Sequence, residues 1–559
     1  MRRIAPRTWR RLLWAAVITP LGWLALCLVA PVAVSAVMGV GIVLANANET
    51  TPRVPGTASV LQKMNPLYQL IDSSPVHNTL QLCADLRPVS AWVSGSCLIA
   101  DTINNSADAA SQAGSAYQDL ASGTLMRNGT IDLPAVRHFG DQAMTLRDNV
   151  RIASDNINRL RTEYPLWKAV STWLLNGENS LNQLDSAMVA AHQLPQWLGA
   201  DGTRRYFVGL TSQAESRAGG GLLGMYAVVT IDQGHLTIEH LGSNLELPTN
   251  AHVPNGLNPA FYQLFGAGNP EWQNLNLSPN APDAGLAWAS AWRSATGERV
   301  DGAISIDTMA LARLTAAAGI ALTEVGGRQL STPDQIADYA SLGVYEEFPG
   351  QDLARKQHQA AVFSAVLGRL LGGGVDTRQL ATPLAQSIAD GHAWIFMTDP
   401  LMEQVLTSAG VTGSLADLAD NAVQVRFNNL SGNKADFFLR PTVQATPLTH
   451  GYRLTLHLQM DPALRSVTAP IVIHRLDSAL PTGPGSRLQV LFSLGGALSA
   501  QSVTAEGNTT PANPLPYEGA SVVATYVTVT ATHSVTINLD LRGPRPDLSR
   551  ALAGALVHD

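Results

Sequence analysis

The sequence predicts an α/β core domain with a mixed sheet. One transmembrane helix and a helical stalk or bundle precede it, and an antiparallel β-sandwich follows. Three observations carry this reading. An uncharged apolar run lies near the start of the chain, short β-branched runs alternate with helical patterns in its middle, and alternating strands fill its last part.

The chain has 559 residues. At about 100–200 residues per domain, that calls for several cores. Hydrophobic content of 46% argues against wholesale disorder, and a net charge of −7 against general nucleic-acid binding. Charge is unevenly placed: Arg2, Arg3, Arg7, Arg10 and Arg11 precede the first acid, Glu49, and no charged side chain occurs from Leu12 to Asn48. A span needs about 20 apolar residues. Leu12 to Leu44 exceeds that, and the arginines predict a cytoplasmic N-terminus with the remaining chain outside the cell membrane. The competing reading is a cleaved signal at Ala45-Asn46-Ala47, but the apolar run is longer than the about 7–15 residues of a signal core. Cys83 and Cys97 fall in the exported part. They are a disulfide candidate, or two separate thiols.

These readings divide the chain into residues 1–48 (basic tip and anchor), 49–198 (helical stalk or bundle), 199–412 (α/β core), 413–545 (β-sandwich) and 546–559 (tail). In the stalk, Ala143, Leu146, Val150, Ala153, Ile157, Leu160 and Tyr164 recur at steps of three and four, a heptad seam. In the core, RYFVGL (205–210), YAVVTI (226–231) and GAISI (302–306) read as strands. Helical patterns cover 284–295, 309–318 and 353–371, and such alternation means an at least partly parallel sheet. An Asn- and Pro-rich segment, 243–283, carries Tyr262, Phe265 and Trp272. These aromatics can stack on sugar or lipid, or simply pack the loop. Beyond 415, strand-like runs at 422–428, 436–442, 452–460, 470–475, 487–493, 521–532 and 534–541 predict the sandwich.

Common catalytic motifs are absent: the sequence has no GxSxG, HExxH or GxxxxGK[ST]. His235 and His240 miss zinc-motif spacing, and in a regular strand residues five apart face opposite sides. Gly219, Gly221 and Gly224 do spell GxGxxG, but a dinucleotide site needs a helix after it, and YAVVTI follows.

RRYFVGLTSQAESRAGGGLLGMYAVVTIDQGHL, with EWQNLNLSPNAPDAGLAWASAW, ATGERVDGAISID and GNKADFFLR, resembles a Gram-positive, chiefly actinobacterial envelope family. That family is known only as domain of unknown function four thousand and twelve, and the likeness extends from about 199 to 445. The order of elements also resembles, more distantly, the LytR–CpsA–Psr phosphotransferases. That likeness implies handling of polyprenyl-pyrophosphate-linked glycopolymers outside the membrane, with Mg²⁺ possible as a cofactor and polyprenyl-linked glycan or peptidoglycan as partner. It aligns Glu215 and Arg217 with that family's arginine loop, and Asp352 and Arg355 with its helix signature. Asp301 is a further phosphate candidate, or a turn residue of an Asp-Gly pair. The departures are that Leu210-Thr-Ser-Gln213 lacks the usual metal-holding carboxylate, and that Ala-Gly-Gly follows Arg217. The alternative is a non-catalytic envelope scaffold acting through stalk and sandwich.

Overall fold

The computed structural model describes most of residues 126–554, omitting 128, 164–177, 249–253, 255, 267–270, 324–326, 372–374, 376–377 and 475–483, and adds Leu98. The expected span, the cleavage site, Cys83 and Cys97 lie outside the described residues. Among the described residues no helix is long and apolar enough to cross a membrane.

The chain forms two compact units, one made of residues 1–123 and 135–194, the other of 124–134 and 195–559. In the first, helices α1 (Leu133–Glu163) and α2 (Glu178–Trp197) are joined by a fork from Arg147 to Asp185, at 2.7 and 3.1 Å. Ala143 and Leu146, the start of the expected seam, are buried, as is Met188.

The second unit is built on a seven-stranded mixed sheet, in the order β1-β2-β5-β4-β3-β6-β9. Its strands are β1 (Met126–Arg127), β2 (Thr130–Ile131), β3 (Arg204–Ser212), β4 (Leu222–Asp232), β5 (His235–Ser243), β6 (Gly302–Asp307) and β9 (Ala393–Met397). Two residue pairs, β7 (Leu322–Thr323) and β8 (Gln329–Leu330), form a separate hairpin. Only β3 and β6 are parallel. The first two strands correct the expectation that 49–198 is helical throughout, because Thr130 pairs with His235 on the sheet edge. β3 also runs two residues past the expected Leu210.

Helices cover both faces. Alanine-rich α4 (Ala281–Thr296) brings Trp288 and Trp292 onto Phe207, Tyr226, Ala303 and Phe396. On the other face, α7 (Asp352–Leu371) lays Phe363 against Val208, Leu210, Met225 and Ala227. Helix α5 (Thr308–Ala317) follows β6 directly. Asp307 caps it, its Oδ1 accepting from the amides of Met309 and Ala310 at 3.0 and 2.9 Å. Other described helices are α3 (Pro259–Phe265), α6 (Pro333–Asp338), α8 (Arg378–Ala389) and α9 (Pro400–Ser408).

Beyond 420, nine strands form two antiparallel sheets. One is β10 (Val423–Asn429), β13 (Gly485–Leu494), β17 (Ala520–Thr530) and β16 (Leu515–Tyr517). The other is β11 (Leu439–Leu448), β12 (Gly451–Met460), β18 (Val535–Arg542), β14 (Ser499–Ala505) and β15 (Asn508–Pro511). Alternate residues Leu454, Leu456 and Leu458 face Val490, Phe492 and Val527 in one shared core. The described part of the expected strand at 470–475 is not extended: Pro470 opens a four-residue helix, Pro470–Ile473.

Candidate functional site

The glycine-rich turn joins β3 to β4. Gly220 and Gly221 hold φ of +119° and +91°, and a Cβ on Gly221 would stand 2.6 Å from the Ser212 carbonyl. These glycines serve the backbone. Gly221→Ala is expected to cost at least about 2 kcal/mol, from left-handed strain plus collision, read as a fall in the urea midpoint.

The side chains of this turn are turned inward. Arg217 is buried, and its fork is spent on protein: Nε to Asn274 Oδ1 at 3.0 Å, Nη1 to the Ser216 and Asn429 carbonyls, and Nη2 to Glu215 Oε1 at 3.0 Å. Glu215 also receives the Lys434 amine. Burial works to raise the Glu215 carboxyl, but Lys434 and Arg217 outweigh it and hold the group below the usual carboxylate range. Asp436 accepts from the Ser216 amide at 2.9 Å, and Asn428 from the Ala218 amide at 2.8 Å. The block GNKADFFLR and the glycine turn are therefore two halves of one junction. A chain ending at 412 leaves Glu215 without Lys434 and is expected to show no cooperative unfolding in a urea titration followed by circular dichroism.

The remaining candidates are placed as follows. Asp301 stands at the opposite end of β3 and β6 from the turn, where it accepts from the Arg205 amide at 2.9 Å and pairs with Arg204. Arg355 pairs with Asp352 at 2.8 Å and lies 4.4 Å over the ring of Tyr345. Trp272 is buried and stacked on Phe207, its Nε1 donating to the Pro248 carbonyl at 2.8 Å. Tyr262 donates to the Pro254 carbonyl, and Phe265 packs on Phe261. The loop aromatics are used in packing, Trp272 against the sheet and Tyr262 and Phe265 in a cluster with Leu491, Tyr517 and Val522. His235 and His240 need one correction: β5 is bulged between the partners of Val228 and Val229, so simple alternation fails there. His235 bonds Thr130 and His240 lies against Trp292.

A cavity of about 110 Å³ lies where the parallel strands end. Leu210, Thr211 and Ser212 from β3, and Ile306 and Asp307 from β6, line one wall; Val362, Phe363 and Val366 of α7 line another. Crevices beyond the carboxyl ends of parallel strands are the usual ligand positions in α/β sheets. Tyr339 and Ala340 also line it, from a π-helical turn, Tyr339–Gly343, a rare form that often marks functional sites.

The lining is chiefly apolar, with polar groups of specific kind. The Ser212 hydroxyl is buried without a protein partner; that of Thr211, also unpartnered, lies on the other face of the sheet near Ser305 and Trp394. The Lys356 amine donates to the Gly224 carbonyl at 2.8 Å and to Asn244 Oδ1 at 2.9 Å. Gly224 is the bulged residue between the pairs Leu210–Met225 and Thr211–Leu223. The ladder is irregular where its carbonyl meets the amine. Burial, reinforced by Arg355 and Lys434, pushes Lys356 down to about 7. Beside it, the Tyr339 hydroxyl donates to Glu347 Oε2 at 2.6 Å and meets His358 Nε2 at 2.8 Å. Sequence reading missed Lys356; its only signal was a cation one residue after Arg355 in an amphipathic helix.

Residues 201–345 match the family model described as "Protein of unknown function (DUF4012)". That segment, about a quarter of the chain, is similar to DUF4012. No curated protein and no solved structure matches the chain. The DUF4012 match is shorter than the expected 199–445. It includes the glycine turn, α4, β6 and the π-helical turn, and it stops at Tyr345. Lys356, Lys434 and Asp436 lie beyond DUF4012, although the first shares its cavity and the others its junction.

A divalent ion does not fit the residues present. The end of β3 offers no carboxylate, and Asp307 is occupied by its helix cap, by His392 at 2.6 Å and by Gln213 at 3.4 Å. Among the described residues no three His, Cys, Asp or Glu side chains converge.

Proposed function

We propose that this chain is a membrane-anchored envelope protein that binds a polyprenyl-phosphate type of amphiphile, the carrier end of a lipid-linked glycopolymer, at the outer face of the cell membrane. One observation carries the reading: a chiefly apolar cavity with a buried amine and an unpartnered hydroxyl, that of Ser212, in its lining. The apolar wall suits a hydrocarbon segment. An engineered cavity of about 150 Å³ takes a benzene ring, so about 110 Å³ suits a group near the size of one isoprene unit. Lys356 suits a phosphate, and the Ser212 hydroxyl can donate to one of its oxygens. The reading is one of binding; no transfer step is assigned.

A second reading, the non-catalytic scaffold, draws on the internal use of Arg217 and Glu215, which makes the family hallmark a structural junction. The test is titration of the detergent-solubilised full chain with a polyprenyl pyrophosphate analogue, with and without Mg²⁺. Saturable binding that Lys356→Met removes and Mg²⁺ does not alter is expected. No binding in either condition refutes the amphiphile reading and leaves the scaffold.

A further inference from the structure

A second pocket begins one residue beyond the cavity. Ser212 lines the cavity, whereas Gln213, Ser216 and Gly220 line this pocket together with Arg426 and Asp436. Its free space is small, about 30 Å³.

Arg426 projects from β10 between two backbone turns. A Cβ on Gly554 would stand 2.9 Å from its Nη1, and one on Gly391 would stand 3.2 Å from its Nη2. Both glycines hold φ of +78°. The chain thus leaves room for a guanidinium that any other residue at either position would fill. Yet Arg426 makes no hydrogen bond or ion pair among the described residues, and its Nη1 is enclosed without a partner. The charged group that acts on it is Arg550, a like charge, itself held by the Ala389 carbonyl. Arg426 is half-buried, but an enclosed charged donor with no acceptor is costly unless something supplies one. Asp436, the other ionisable group in the pocket besides Arg217, does not pair with it. Burial raises the Asp436 carboxyl, and its Oδ1 is likewise unpartnered.

We propose that this pocket binds a small oxyanion, the carboxylate or phosphoryl group of a ligand, on the Arg426 guanidinium. A planar guanidinium suits both kinds of oxyanion. The proposal is independent of the amphiphile reading, because Lys356 and the cavity take no part.

Thermal unfolding of the detergent-solubilised full chain tests it, in inorganic phosphate or acetate against chloride at matched ionic strength. A ligand that binds only the folded state raises Tm. The expected result is a rise in phosphate or acetate that Arg426→Gln abolishes, that Arg426→Lys weakens, and that Asp436→Asn and Lys356→Met retain. The absence of any rise in the unsubstituted chain overturns the proposal, as does a rise undiminished in Arg426→Gln. A rise lost in Lys356→Met but kept in Arg426→Gln would assign the anion to the cavity instead. If the rise occurs only after deletion of residues 555–559, the chain's own acidic end fills the pocket, and the ligand site is refuted. Should Arg426→Gln fail to fold, Arg426→Lys decides: an unaltered midpoint concentration for phosphate counts against the site.

Discussion

Glu215→Ala is expected to lower the unfolding free energy by about 3–5 kcal/mol, because it leaves Lys434 and Arg217 buried with no carboxylate between them. The loss is in compensation. Both cations have left water, and Glu215 is the acid that each of them pairs with. The same variant changes the response to acid. The folded carboxyl sits below its ordinary value of about 4.3, so its contribution is fully present above that value. It is lost as pH falls through the lower, folded pKa. Urea midpoints at pH 7 and at pH 3 check both effects. The unsubstituted chain should lose stability on acidification, and Glu215→Ala should lose less of what remains. Equal midpoints for the two chains at pH 7 would mean that the junction contributes little.

Lys356→Met is expected to abolish binding of an anionic amphiphile while leaving the fold as stable or more so. A shift from 10.5 to about 7 implies a burial cost on the order of 4 kcal/mol for the charged amine, at about 1.4 kcal/mol per unit. Methionine removes that cost but leaves the Gly224 carbonyl and Asn244 Oδ1 without their donor, a loss of about 1–3 kcal/mol. The net expectation is unchanged stability, or a gain of up to about 3 kcal/mol. Linkage adds a signature. Between pH 7 and about 10 the unfolded chain holds a proton that the folded chain has released, so stability rises with pH across that window. Below pH 7 both states are charged and the full cost remains. In Lys356→Met the slope disappears. A residue that costs stability yet is needed for binding acts through its ligand; a fall in stability with binding intact would make Lys356 structural.

Much of the fold was legible because periodicity reports burial. The expected helices at 284–295, 309–318 and 353–371 lie within three residues of the bounds of α4, α5 and α7, since each buries a continuous apolar face. The exclusion of a nucleotide loop also stands, because β4 follows the glycines. Short elements were not legible. The strands at 499–505 and 508–511 are partly or wholly exposed and rich in Ser, Thr and Ala, and 515–517 is only three residues long, so they carry little alternation. At 470–475 a run of Ile and Val reads as a strand, but Pro470 fixes a helical turn. The candidate site was harder still. Sequence draws the eye to Arg217, whose partner Asn429 is 212 residues away, and nothing local shows that its donors are already used. Lys356 stands out only once α7 is laid on the sheet and its amine is enclosed.

The central claim, that the cavity binds an anionic amphiphile through Lys356, is tested most directly by the pH dependence of affinity. The dissociation constant of a polyprenyl pyrophosphate analogue would be measured for the detergent-solubilised full chain from pH 6 to pH 9, beside Lys356→Met. With the amine at about 7, affinity should be greatest near pH 6 and should weaken above pH 7, approaching tenfold per pH unit as the charge is lost. Lys356→Met should bind weakly and show no such slope. Tight binding in Lys356→Met, or an affinity that does not change between pH 6 and pH 9, would contradict the claim.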